Sequence, residues 1–299
     1  MRIQPSHCNL YLAIALTVAS LIALLINLYF YHYPGNNYFP PFTIYIGGTL
    51  FLMYVGTILQ FSQHNRLPLV LKEVIYFFIV MAIVALATTA VQFTPFTPID
   101  HTIVAFESQL GIEIPTILNW TAAHPNFNEL LAWVYDTLPM QMTCLPLLVI
   151  IMRKTTRIRD YYFLLLMSGL IGFTFYYFFP TLAPANAIPS PLFGELQKAT
   201  GLKFMQIHHF IRPTTLEGGM VAMPSFHVIW AWLCVYLVRD WVFVLIIVLS
   251  LNILLVFSCV LLGWHYPLDL LGSIIVLFLS HLLFHLCQRG SDRRLGARI

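Results

Sequence analysis

Charge is what this chain has least of. Asp, Glu, Lys and Arg make up 9% of its 299 residues, against about a quarter in an ordinary soluble protein. A water-soluble fold cannot cover its surface with so few charges. Disorder is excluded as well, because it needs low hydrophobicity and high charge, and 59% of this chain is apolar. The net charge is only +3 and no basic stripe is present, so no nucleic-acid partner is expected. The five cysteines (Cys8, Cys144, Cys234, Cys259 and Cys287) form no Cys-x-x-Cys pair, which argues against a disulfide framework and a zinc site. No repeat of fixed period and no low-complexity tract occurs. The first apolar run is too long for a signal-peptide core and lacks an Ala-x-Ala site, so a retained helix is expected there.

What the chain has is apolar runs of spanning length. A membrane helix needs about 20 mostly apolar residues, and eight segments qualify: 10–31, 41–61, 70–91, 129–152, 161–180, 220–238, 241–263 and 267–287. Turn chemistry separates them, as in Tyr33-Pro34-Gly35-Asn36-Asn37 and Arg289-Gly290-Ser291-Asp292. The fold class this predicts is an all-α polytopic transmembrane bundle of about eight spans. Alternating the spans from an inside N-terminus puts Arg2, Arg66, Lys72, Arg153, Lys154, Arg157, Arg159, Arg239, Arg289, Arg293, Arg294 and Arg298 on one side. Only Lys198, Lys203 and Arg212 fall on the other. That asymmetry predicts two cytoplasmic termini, in a bacterial inner membrane or a Golgi-type membrane, with the bacterial inner membrane as the working assignment. The run Arg153–Arg159 reads as an anchor on anionic inner-leaflet lipid.

Two segments lie on the outer side. Residues 92–128 carry no Lys or Arg, and Ile103, Val104, Phe106, Leu110 and Ile114 recur at helical spacing, so an interfacial helix is expected within them. Residues 181–219 form a Pro-rich polar loop holding all three outer basic residues. The expected organisation is N-terminal helices over 1–92, a membrane domain over 93–288 and a basic cytoplasmic tail over 289–299.

Three polar clusters converge on that outer face: Phe210-Ile211-Arg212-Pro213, Met223-Pro224-Ser225-Phe226-His227 and Gly263-Trp264-His265-Tyr266-Pro267-Leu268-Asp269. Pro224 suits the first turn of a helix, whose free N–H groups would favour an anion such as phosphate. His265 and Asp269 are four apart. If a helix begins near Trp264 they share a face, and the carboxylate would fix the imidazole tautomer and leave its other nitrogen free as nucleophile or base. Asp136 is a carboxylate inside an apolar span, expensive unless paired, and is a candidate member of the site.

Pro224-Ser225-Phe226-His227 followed by His265-Tyr266-Pro267-Leu268-Asp269 resembles the phosphatidic acid phosphatase type 2 superfamily. Phe178-Phe179-Pro180-Thr181, Arg212 ahead of Gly218-Gly219, and Asp100 to Gly111 with Tyr135 downstream are similar to its inositol phosphotransferase branch, the type of fungal inositol phosphorylceramide synthase. The likeness covers about residues 95–275. It implies that His265 attacks phosphorus to form a phosphohistidine, that Asp269 orients it, and that His227 protonates the leaving oxygen. Arg212, Ser225 and Lys203 would hold phosphate oxygens, with no metal and no cofactor. The chain departs from the wider pattern where Ser258-Cys259 replaces a Ser-Arg pair, where Lys203 stands nine residues before Arg212, and in Ala183-Pro184-Ala185-Asn186.

The expected partners are a membrane lipid with a phosphate headgroup and the bilayer itself; oligomeric state is open. The expected function is transfer of a phosphoryl or phospho-headgroup from a lipid phosphate, as phosphotransferase or lipid phosphatase, at the periplasmic or lumenal face. The alternatives from the residues alone are a transporter, whose pathway Asp136 and the histidines would line, and an inactive membrane scaffold.

Overall fold

The computed structural model describes residues 5–62 and 64–296. Arg2 and Arg298, and with them the end of the expected basic tail, lie outside the described residues. All regular structure in the described residues is helical. The order is α1 (Pro5–Ile26), α2 (Thr43–Gln60), α3 (Arg66–Ala90), α4 (Asp100–Gln109), α5 (Ile114–Ala122), α6 (Pro125–Asp136), α7 (Leu138–Ile151), α8 (Thr155–Phe178), α9 (Pro184–Ala187), α10 (Glu195–His208), α11 (Phe226–Leu237), α12 (Val242–Leu261) and α13 (Pro267–Gly296).

Six of these helices are long and apolar enough to cross a membrane, and α6 with α7 makes a seventh if the bent pair is one span. The chain is an integral, multi-pass all-α membrane protein. Two expected spans look different in three dimensions. The run 129–152 is broken by a 43° bend between α6 and α7, where Pro139 occupies the second position of α7 and withholds an N–H from the preceding turn. The run 220–238 is helical only from Phe226, because Pro224 disfavours helical backbone in the residue before it. At twelve residues α11 is about 18 Å long, shorter than a hydrocarbon core of about 30 Å. The outer segment 92–128 holds two short helices, α4 and α5, and the start of α6, where one interfacial helix was expected; Gly111, with a φ of +74, separates the first two. The backbone across Arg289–Asp292, expected as a turn, continues α13.

The core is organised around α8. Tyr161, Leu164, Leu165, Leu166 and Ser168 are fully enclosed, and the helix packs against α1, α3, α7, α11 and α13. Its C-terminal half positions the start of α11. A Cβ at Gly172 would stand 2.8 Å from Phe226 Cζ and 3.2 Å from Pro224 Cγ, so only glycine lets these two helices approach this closely. Phe173 then stacks on Phe226 with ring centroids 4.4 Å apart. By contrast α2 packs chiefly on α3 and buries no residue.

Candidate active site

The last hairpin carries His265. After α12 the chain turns at Gly263, whose φ of +77 is left-handed and whose missing side chain makes room for Phe193 and Leu118. The backbone N–H of His265 donates to the Cys259 carbonyl at 2.9 Å, which folds the loop back onto the end of α12. Helix α13 begins at Pro267, so His265 precedes it and does not share a helical face with Asp269. The loop brings the two together all the same. His265 Nδ1 lies 3.1 Å from Asp269 Oδ2, and the Tyr266 N–H donates to the same oxygen at 3.0 Å. Both residues are buried, Asp269 completely. Burial lowers the His265 pKa to about 4, against a smaller opposing pull from a backbone hydrogen bond at Ala222.

His227 stands in the first turn of α11. Its ring centroid is 5.8 Å from that of His265, with the planes inclined by 61°. On its other side Tyr135 of α6 stacks at 4.3 Å, with its hydroxyl 3.3 Å from His227 Nδ1. Trp264 stacks on Tyr135 in turn, at 5.2 Å. Ser225 is the N-cap residue of α11 but makes no side-chain cap, and its buried Oγ meets no nitrogen or oxygen partner among the described residues. Pro224 lies just outside the helix, not in its first turn as expected. No acidic residue occupies the first turn of α11, so the positive end of its dipole is left available beside the two imidazoles.

Of the seven residues singled out from the sequence, His227, His265, Asp269 and Ser225 meet in this cluster. The other three make no hydrogen bond or ion pair with it among the described residues. Lys203 is fully enclosed, and its ammonium donates to the backbone carbonyls of Glu217 and Gly218. Burial lowers it to about 8. Two of its three donors are spent on the loop that leads to Pro224, so it ties that loop down. Arg212 is exposed at a turn that is held by Gln206 through the Thr214 N–H at 3.0 Å. Asp136 is exposed at the α6–α7 bend.

Two carboxylates with no role assigned from the sequence support the His265 loop from behind. Asp100 and Glu107 are two turns apart on α4 and both buried. Asp100 accepts the Tyr266 hydroxyl at 2.9 Å and the Leu182 N–H at 2.7 Å. Glu107 accepts the Leu268 N–H at 2.8 Å. Ser273 donates to the Ser225 and Asp269 carbonyls at 2.9 and 2.8 Å, joining α13 to the start of α11. The signal for the two acids was present: they stand at helical spacing in a segment with no Lys or Arg to pair them.

Two imidazoles in contact, one backed by a carboxylate, beside an uncompensated helix N-terminus, form an arrangement suited to nucleophilic and acid–base work on an anion. No curated protein and no solved structure shows a significant match to the chain. A family model described as PAP2 superfamily matches residues 101–283, which include α4 from its second residue, α6 and both histidine motifs. The chain therefore belongs to the PAP2 superfamily, whose membership supports phosphatase-type phosphoryl transfer.

Proposed function

We propose that this protein transfers a phosphoryl group or phospho-headgroup from a membrane lipid by way of a covalent histidine. The observation that carries the reading is the contact between His227 and His265, with Asp269 behind His265. The Nε2 lone pair of His265 attacks phosphorus, and the bond from phosphorus to the leaving oxygen breaks. His227, protonated once the phosphate anion is seated beside it, supplies the proton that the leaving oxygen takes. In the second half His227 takes a proton from the incoming hydroxyl or water, whose oxygen displaces His265 from phosphorus. A nucleophilic imidazole must be neutral, and the burial that lowers His265 to about 4 keeps it so at physiological pH. Asp269 holds the Nδ1 side of the ring, and Ser225 with the first N–H groups of α11 offers donors to the phosphoryl oxygens. No metal is needed in this scheme.

Arg212 is assigned to the phosphate grip on the family resemblance; guanidinium geometry suits two phosphate oxygens. Lys203 and Asp136 act at one remove, through the loop and the helix bend they occupy. The catalytic unit is 93–288, preceded by the helices of 1–92 and followed by the basic tail. The skewed distribution of Lys and Arg supports an active site on the periplasmic or lumenal side of a bacterial inner membrane. The Phe178–Thr181 and Asp100–Gly111 segments favour the inositol phosphotransferase branch, in which an alcohol takes the group in place of water.

The experiment is to quench the purified protein during turnover of a phospholipid radiolabelled in its phosphate, then map acid-labile label. Label on His265 that is lost in His265→Ala supports the mechanism. Label elsewhere, or none with active enzyme, removes it. Adding inositol or ceramide separates the two outcomes: a labelled lipid or polyol product supports the transferase, and inorganic phosphate alone supports the phosphatase.

A further inference from the structure

A cavity with charged walls lies at the opposite end of the bundle from the histidines. Thr155 and Phe173 are eighteen residues apart on α8, about 27 Å along a continuous helix. Phe173 stacks beside His227 through Phe226, whereas Thr155 borders this cavity. The separation is close to the thickness of a hydrocarbon core. The cavity has a volume of about 190 Å³, and its polar wall is Lys72, Glu73, Arg153, Thr155 and Arg159 over an aliphatic floor.

Charge at this end is spent unevenly. Arg157 is paired with Asp240, and Arg239 lies 3.1 Å from Asp160. Arg66 donates to the Ile151 carbonyl at 3.3 Å. Around the cavity, three cations face one carboxylate. Arg159 approaches Glu73 only to 3.7 Å, and Lys72 and Arg153 have no carboxylate partner among the described residues. The first turn of α8 holds no acidic residue, and Lys154 provides no side-chain cap, so the dipole adds to the same positive field.

The surroundings say which phosphate fits. Lys72, Tyr76 and Ile79 follow one another at i, i+4 and i+7 on α3, which puts them on one helical face. Tyr76 and Ile79 are exposed, and the Lys72 ammonium lies 5.7 Å from the centre of the Tyr76 ring. A headgroup in the cavity would thus have an apolar stripe beneath it for its acyl chains. A soluble anion would leave that stripe and the aliphatic floor unmatched.

We infer that this cavity binds the phosphate of an anionic glycerophospholipid in the leaflet opposite the histidine cluster. The inference refines the general anchoring expected for the Arg153–Arg159 run: Arg153 and Arg159 act with Lys72 from α3, while Arg157 is occupied elsewhere. It does not depend on the proposed catalytic reaction.

The test uses the full chain in phosphatidylcholine nanodiscs doped with photoreactive phosphatidylglycerol. Crosslinks should concentrate in peptides covering residues 66–73 and 150–159. Binding should fall roughly tenfold in the double variant Lys72→Gln/Arg153→Gln, which removes two cations. It should be unchanged in Lys154→Gln, a neighbouring cation outside the cavity wall, and should survive excess inorganic phosphate. Crosslinks spread over all basic segments, equal loss in Lys154→Gln, or equal capture of photoreactive phosphatidylcholine would overturn the site. Displacement by inorganic phosphate would overturn the lipid assignment. If the double variant fails to assemble, the crosslink map of the unaltered chain decides.

Discussion

The Tyr266 hydroxyl donates to Asp100 across 166 positions of sequence, at 2.9 Å. The bond ties α4 to the residue that follows His265, and Asp100 also holds the Leu182 N–H. Tyr266→Phe leaves one oxygen of a buried carboxylate without its donor, which costs about 1–3 kcal/mol. Turnover and thermal stability are both expected to fall. Glu107→Gln keeps a carbonyl acceptor for the Leu268 N–H and is expected to stay near wild type, whereas Glu107→Ala is expected to follow Tyr266→Phe. Thermal melts of the detergent-solubilised variants, paired with turnover on a labelled lipid phosphate, make the comparison.

The pH dependence of stability separates Asp100 from His265, because their shifts have opposite signs. Burial raises Asp100 to about 6, with the Asp269 carboxylate adding to the rise against the hydrogen bonds from Leu182 and Tyr266. A raised folded value means stability that is fully present below the unfolded pKa and lost as pH rises through about 6. Burial lowers His265 to about 4, so its stability is present above its unfolded value and lost as pH falls toward 4. Between about pH 7 and pH 5, the melting temperature of wild type relative to Asp100→Asn is expected to rise. Relative to His265→Ala it is expected to fall. Parallel slopes for both variants would contradict these assignments.

Tyr135 offers His227 a ring and a hydroxyl at once. Tyr135→Phe keeps the stacking and removes a hydrogen bond worth about 0.5–1.5 kcal/mol, so turnover is expected to drop about three- to tenfold. Tyr135→Ala also removes the stack on Trp264, and the loss should be about tenfold larger. Equal rates for the two variants would mean that the hydroxyl alone matters.

Gly172 and Gly169 provide a matched pair on α8. A methyl at Gly172 would meet Phe226 Cζ at 2.8 Å, while one at Gly169 meets nothing nearer than Leu16 Cδ2 at 3.5 Å. Gly172→Ala should cost about 1–3 kcal/mol through overpacking and should lower turnover, because His227 directly follows Phe226. Gly169→Ala should be tolerated in both measurements.

Much of this protein is written in local pattern. Low charge and long apolar runs settle the membrane class, because each spanning helix must satisfy its own backbone and present apolar side chains all along its length. The Pro-Ser-Phe-His and His-Tyr-Pro-Leu-Asp segments mark the chemistry by residue type and order. Lys203 shows where such reading ends. The family resemblance implied a phosphate ligand, and only the fold shows its ammonium turned onto the Glu217 and Gly218 carbonyls.

The sequence by itself therefore determined the bilayer-spanning helical class and the identity of the two histidine motifs. The tertiary structure decided that the rings of His227 and His265 lie 5.8 Å apart, that Tyr135 and Trp264 wall them in, and that Asp100 and Glu107 brace the loop from α4. The reason is range. Hydrophobic runs and i,i+4 spacings act within one helix, whereas these contacts join residues far apart in the chain and exist only once α8 has set α11 against its neighbours.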